Sequence, residues 1–123
     1  MPTHVSTRSI VRAFHRARSS GSLDEATSFL AGDFVFESPL MRFENRGEYL
    51  ASHRAFQGLV TGFDMISELV GRFEATWIYD LKTATPVDTQ RTAEHFRLKA
   101  GKISAIFLLF DASPWIPLMS SLR

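Results

Sequence analysis

Apolar positions near the N-terminus recur with the period of a helix. They are Ile10, Val11, Phe14 and Ala17. Because these positions form one stripe and the nearby arginines lie mostly on the other faces, they predict a helix with a solvated basic face, ending at Gly21. The arginines and serines, with no acid before Asp24, also resemble the composition of a transit peptide, which is the alternative interpretation.

A second helix and a first strand are predicted next. Ser22 and Glu25 have the spacing of a capping box, so a helix is expected to start there and to end at Gly32. Its apolar side comprises Ala26, Phe29 and Leu30. The segment "DFVFES" then alternates between faces and stops at Pro39, which predicts a short strand.

The third predicted helix is "RGEYLASHRAFQGLV". Asn45 and Glu48 repeat the capping pattern at its start. Its apolar face comprises Tyr49, Leu50, His53, Phe56 and Val60. Three N-terminal helices are therefore expected before the pattern changes at Gly62.

After Gly62 the chain has the pattern of strands. The segments are "FDMISELV", "EATWIYDLKTAT", "DTQRTAEHFRLKA" and "KISAIFLLFDA", and the turns between them carry glycine or proline. Long antiparallel strands twist and curl. We therefore predict one α+β domain over residues 1–123, in which a cone-shaped, curved antiparallel sheet carries the three N-terminal helices on its concave face.

Composition limits the function. The 123 residues carry a net charge of only +1, which gives no support for nucleic-acid binding, and the chain has no run long enough to cross a membrane. With no cysteine, disulfides and thiolate metal sites are excluded, and a cytoplasmic location is expected. Eleven phenylalanines suit a thick core or an apolar cavity.

The last strand ends in an acid. Ser104 is the one polar side chain between Ile103 and Phe110, and Asp111 follows directly. An ionised carboxylate is costly to bury without a partner, so Asp111 is either a solvated charge at the rim or a functional group. An alternation that points Asp111 inward also points Phe107 inward.

These segments resemble the nuclear transport factor 2-like cone fold, in its SnoaL-like, ketosteroid isomerase and limonene epoxide hydrolase branches. The resemblance rests on the strand "FVFESPL", the helix start "RGEYL" and the strand pair "HFRLKAGKISAIFLLFD", and covers residues 8–112. The resemblance to the ketosteroid isomerase branch implies a site made of a catalytic tyrosine, an aspartate base and a protonated aspartate. Those positions hold Phe14, Ser38 and Glu94 here, so steroid isomerisation is not expected.

The epoxide hydrolase branch implies an arginine and two aspartates. Ile78 stands at the arginine position, and Asp80 and Asp111 stand at the aspartate positions. The resemblance to SnoaL-like cyclases also implies a functional acid at the end of the last strand, where this chain has Asp111. We expect Asp80 and Asp111 to lie together at the pocket mouth, where burial and their like charges raise the pKa of one of them. Glu94 is the third candidate acid.

A pocket between helices and sheet is expected. Its predicted lining is Phe14, Phe36, Ser38, His53, Phe56, Ile78 and Phe96. A neutral core histidine is the commoner role for His53, and His95 is expected on the opposite face of its strand. His4 and His15 show no companions, and no ligand spacing supports a metal site or a cofactor.

Three functional classes fit this sequence. One is a cofactor-independent acid/base enzyme, a hydrolase, isomerase or cyclase, acting on an apolar small molecule. The others are a binding protein for a hydrophobic small molecule and a homodimerising association module. The positions of Asp80 and Asp111 favour the enzyme. A homodimer is expected because the helices leave one sheet face uncovered.

Overall fold

A computed structural model describes residues 6–20 and 22–121. The helices are α1 (Thr7–Ser20), α2 (Leu23–Ser28), α3 (Arg46–Gln57) and α4 (Ile116–Ser121). The strands are β1 (Leu30–Glu37), β2 (Arg42–Phe43), β3 (Val60–Val70), β4 (Glu74–Thr83), β5 (Thr89–Lys99) and β6 (Lys102–Leu109). The predicted α+β architecture is confirmed. The predicted helix end at Gly21 and the residue His4 lie outside the described residues.

The second helix is shorter than predicted. It ends at Ser28, not at Gly32, and the side chain of Ser22 makes no capping hydrogen bond. Leu30 instead begins β1 and is buried against the sheet, and the carbonyl of Phe29 accepts a hydrogen bond from the backbone N–H of Ile103. Phe29 and Leu30 therefore pair with β6 and do not extend α2. The cap on α3 is as predicted, since the Asn45 side chain accepts from the Glu48 N–H.

The six strands lie in the order β2-β1-β6-β5-β4-β3. Strands β3 to β6 form the predicted antiparallel meander, and β1 adds beside β6 as the sheet's parallel pair. Register shifts interrupt the β3–β4 and β5–β6 ladders. Because such bulges bend a strand and increase its twist, they account for the curvature of the sheet.

The two faces of the sheet differ in their side chains. The inner face, which packs on the helices, carries Trp77, Tyr79, Glu94, Phe96 and Ile106, all of them buried. The outer face carries the residues between them, including Ile78, His95 and Phe107. No helix within residues 6–20 and 22–121 is long and apolar enough to cross a membrane.

Candidate functional site

A buried ion pair lies between α1 and the inner face of the sheet. Arg18 projects from the last turn of α1 and Glu94 from β5, and their side chains are 3% and 2% exposed. Arg18 Nη1 donates to Glu94 Oε2 at 2.6 Å, and Nη2 donates to Oε1 at 2.8 Å. This bidentate geometry is the strongest form of an arginine–carboxylate contact. The predicted basic face of α1 is therefore wrong at Arg18, which is not solvated.

Two phenols complete the hydrogen bonds of the pair. Tyr49 of α3 accepts from Arg18 Nη1 at 3.0 Å, and Tyr79 of β4 donates to Glu94 Oε1 at 3.0 Å. Burial raises the pKa of Tyr49 to about 12 and raises the pKa of Tyr79 well above its usual value. Both side chains are consequently neutral phenols.

Glu94 is ionised in this arrangement. Burial by itself raises the pKa of a carboxyl, but the charge and hydrogen bonds of Arg18 outweigh it and leave the pKa of Glu94 below its usual value. A carboxylate that already accepts three hydrogen bonds is a poor base. Glu94 is the predicted site acid that lies in the interior, and its contacts indicate a fixed charge.

His15 of α1 continues the network. Its Nδ1 lies 3.3 Å from Arg18 Nε and 3.1 Å from Arg18 Nη2. Its ring contacts Phe63 and Trp77, with centroids 4.9 Å and 5.1 Å away. Burial, and then the charge of Arg18, lower the pKa of His15 to about 4, so the ring is neutral at pH 7.

His53 of α3 is the sixth member of this group, and its ring lies 6.1 Å from that of Tyr49. Burial, and then the charge of Arg18, lower the pKa of His53 to about 3. We call these six side chains the interior cluster: Arg18, Glu94, Tyr49, Tyr79, His15 and His53.

The two histidines open onto accessible space. Neither the His53 ring nitrogens nor His15 Nε2 has a hydrogen-bond partner within the described chain. No fully buried side-chain nitrogen or oxygen in residues 6–20 and 22–121 lacks a partner. These ring nitrogens are therefore reachable by solvent, although both side chains are largely buried. The accessible space supports the predicted pocket, which itself stays a prediction.

The two predicted catalytic aspartates lie elsewhere. Asp80 follows Tyr79 on β4 and so faces outward, where Arg91 Nε contacts its Oδ1 at 3.0 Å. Asp111 comes after the end of β6, is exposed, and accepts from the Ser113 N–H and hydroxyl. Hydrogen bonds from Arg91 and Ser113 lower the pKa of the two acids, so the predicted raised pKa is wrong. Their catalytic role stays a prediction without support from the interior geometry.

The register of β6 explains the position of Asp111. Leu108 pairs with Glu94 and shares the inner face, while Phe107 stacks on His95 on the outer face. Leu109 is 63% exposed. Phe107 and Leu109 therefore face outward, and continuing this alternation points Asp111 outward as well.

The predicted lining residues fall into three groups. Phe14, Phe36 and Phe96 are buried core side chains. The prediction that Ile78 lines the pocket is wrong. Ile78 lies on the outer face of the sheet, because its neighbours Trp77 and Tyr79 occupy the inner face. Ser38 is half-buried in the turn after β1, where its hydroxyl accepts from the Leu40 and Met41 N–H groups.

Phe56 is also half-buried, and its ring packs at 5.8 Å on that of Trp115, just before α4. Together with His53, it marks the part of α3 that borders accessible space.

Sequence reasoning missed Arg18, Tyr49, Tyr79 and His15 as site residues. One signal was present: Arg18 follows Phe14 by four residues and Val11 by seven, which puts it on the apolar stripe of α1. A charged side chain on a buried stripe needs a partner of opposite charge that is also buried. Glu94 is such a residue, since it alternates in step with the buried Thr92 and Phe96 on β5.

No group of three or more histidine, aspartate or glutamate side chains in the described ranges is placed to hold a metal ion. A separate cleft of about 450 Å³ lies near Ile10, Arg72 and Phe73, at the start of α1. Its lining includes no member of the interior cluster.

The curved six-stranded sheet with helices on its inner face is the fold of solved structures that are named nuclear transport factor 2-like (NTF2-like), which confirms the cone fold that the sequence predicts. A protein of Kribbella flavida DSM 17836 is 26% identical, with a TM-score of 0.78 over 91% of this chain and 92% of that one. An NTF2-like protein of unknown function from Cytophaga hutchinsonii is 21% identical, with a TM-score of 0.76 over 94% and 98%.

An epoxide hydrolase of M. tuberculosis resembling limonene epoxide hydrolase is 19% identical, with a TM-score of 0.67 over 85% of this chain and 81% of that one. The names of two other structures with this fold propose a polyketide cyclase and a ketosteroid isomerase. At these identities the likeness shows the fold. No protein-family model matches the sequence, and no curated protein matches it.

Proposed function

We propose that the protein binds an apolar small molecule on the inner side of the cone, next to the interior cluster. The observation that carries this proposal is the pair of neutral histidines, His15 and His53, which have solvent-reachable nitrogens in an otherwise buried, aromatic setting. A largely apolar concavity with a few convergent polar groups is the usual form of a small-molecule site.

The walls of the proposed site are apolar. Phe63, Leu81 and Leu108 are partly buried and pack against the core from three different strands. The Phe63 ring lies 4.4 Å from that of Tyr79, so this wall adjoins the cluster directly. The charges of Arg18 and Glu94 cancel, which leaves no net charge to attract an ion.

Filling the site is expected to abolish binding. Leu108→Trp places an indole on the inner face, while the matched control Leu109→Trp places the same side chain on the outer face, one residue away. The neutral probe N-phenyl-1-naphthylamine should bind the parent and Leu109→Trp alike, and Leu108→Trp at least about tenfold more weakly, a loss of about 1.4 kcal/mol. Fluorescence titration measures all three. Equal affinities for the two tryptophan variants would contradict the proposal, provided that circular dichroism shows both folded and light scattering gives both the mass of the parent, since Leu109 lies on the outer sheet face.

Acid/base conversion of the bound molecule is the second candidate. The enzyme names among the solved structures of this fold favour it. Against it, the pKa values of His15 and His53 lie near 4 and 3 and that of Tyr49 lies near 12. A general acid or base works best with a pKa near the working pH, so binding is the better supported function. Turnover of a bound ligand in the absence of any cofactor would reverse that order.

We also propose a homodimer formed by the outer sheet face. Leu69 and Leu109 lie on this face and are 65% and 63% exposed, and an apolar sheet face of this kind is a common association surface. Light scattering is expected to give twice the 13.9 kDa of the chain, and Leu109→Glu is expected to return it to one chain. A parent protein that scatters as a single chain at micromolar concentration would contradict this.

A further inference from the structure

Arg18 determines which nitrogen of His15 carries the proton. A guanidinium has five N–H donors and no acceptor. Two of them, on Nε and Nη2, lie within 3.3 Å of His15 Nδ1. Because Arg18 can only donate, Nδ1 must offer its lone pair, and the proton of the neutral ring is then on Nε2.

The other bonds of Arg18 hold this arrangement in place. Nη1 donates to Tyr49 and Glu94, and Nη2 donates to Glu94. With the two contacts to His15, these make five bonds for five donors, so the guanidinium has no N–H left for a ligand. The ring of His15 is held further by Phe63 and Trp77.

The Nε2–H of His15 is a donor without a partner in the described chain, at a place that solvent reaches. An apolar molecule that displaces water from it leaves that donor unpaired, which costs binding free energy unless the molecule brings an acceptor. Within the interior cluster a carboxylate finds no free cation, since Glu94 already neutralises Arg18. Arg16, the other cation near His15, is exposed on α1, where water screens its charge. The acceptor that fits is an uncharged one, such as a carbonyl oxygen.

Resting on the proposed function, we infer that the ligand is an uncharged, largely apolar molecule with a carbonyl-type acceptor, which accepts a hydrogen bond from His15 Nε2–H. Arg18 and Glu94 act as positioning residues that fix the tautomer of His15. The low pKa of His15 agrees with a ring that stays neutral, and the charged and titratable groups that face it are Arg18, Glu94, Arg16 and His53.

The tautomer is tested first, without any ligand. Two-bond ¹⁵N–¹H correlation spectra of the full chain at pH 7 should show His15 with a bare Nδ1 and a protonated Nε2. A His15 ring protonated on Nδ1, or on both nitrogens, would overturn the inference whatever binds in the site.

The acceptor is tested with two compounds of nearly equal shape, 2-acetylnaphthalene and 2-isopropylnaphthalene. The parent protein should bind the ketone about three- to tenfold more tightly than the hydrocarbon, as one neutral hydrogen bond implies. His15→Phe should lose that preference, and His15→Gln, which keeps an acceptor for Arg18 and an N–H for the ligand, should retain part of it. The control His95→Phe makes the same change on the outer face and should keep the full preference.

The outcomes separate the two claims. If both compounds bind the parent equally well, or if His15→Phe keeps the preference for the ketone, the inference is wrong while binding in the cone stands. If neither compound binds and N-phenyl-1-naphthylamine does not bind either, the proposed function fails, and the tautomer spectrum alone then decides what Arg18 does to His15.

Discussion

Replacing Arg18 by methionine is expected to lower the free energy of unfolding by about 3–5 kcal/mol, the usual cost of leaving one member of a buried ion pair alone. Glu94 would keep its burial and lose both guanidinium bonds. Urea unfolding followed by intrinsic fluorescence measures the change. Because much of that loss is the cost of an uncompensated buried charge, the double variant Arg18→Met with Glu94→Leu should be more stable than Arg18→Met alone.

The matched control is Arg91→Met. It breaks the Arg91–Asp80 pair on the outer face, which has similar geometry at 3.0 Å and 3.1 Å but an arginine that is 69% exposed. An exposed pair contributes little, so the urea midpoint should hardly move. If Arg18→Met and Arg91→Met proved equally mild, the interior cluster would not be the buried network described above.

Stability is expected to fall steeply below pH 6.5. The pKa values of His15 and His53 are lowered from 6.5 to about 4 and about 3 in the folded protein. Between those values and 6.5 the unfolded chain binds protons that the folded chain does not, so stability decreases as the pH falls. Each histidine contributes on the order of a few kcal/mol to this loss. The lowered pKa of Glu94 adds a further loss as the pH falls below 4.5.

His53 is the residue on which to test this pH dependence, because its ring makes no hydrogen bond within residues 6–20 and 22–121 that the substitution would remove. Between pH 6 and 4, His53→Gln should reduce the slope of the unfolding free energy against pH by about 1.4 kcal/mol per pH unit. This is the slope expected when the unfolded chain binds one proton more than the folded chain. Urea midpoints measured at several pH values give that slope. An unchanged slope would show that His53 charges equally in the folded and unfolded states.

The sequence predicts the helices and the meander well because the patterns of α1 and β3–β6 are local. Val11 and Phe14 recur at helical spacing, and glycine or proline marks the turns. The end of α2 is different. Ser28 ends that helix because Leu30 pairs with Ile103, more than seventy residues away, and no local pattern records this parallel contact.

The site was harder to predict for the same physical reason. The face of Asp111 depends on the register of β6, which pairing with β5 sets: Glu94 opposes Leu108, and a bulge follows Arg97. A shift of one residue exchanges the faces. The burial of Arg18 depends on a partner 76 residues away, so its charge alone suggested solvent. Glu94 was recognised because the family resemblance marked its position.

The central claim is that an apolar guest occupies the inner side of the cone, and nuclear Overhauser effects between the protein and bound N-phenyl-1-naphthylamine test it most directly. Contacts from the probe to the Leu108 methyls and the Phe63 ring are expected, because both side chains border the interior cluster. Contacts to Leu109 and Leu69 in their place would put the guest on the outer face of the sheet and contradict the account.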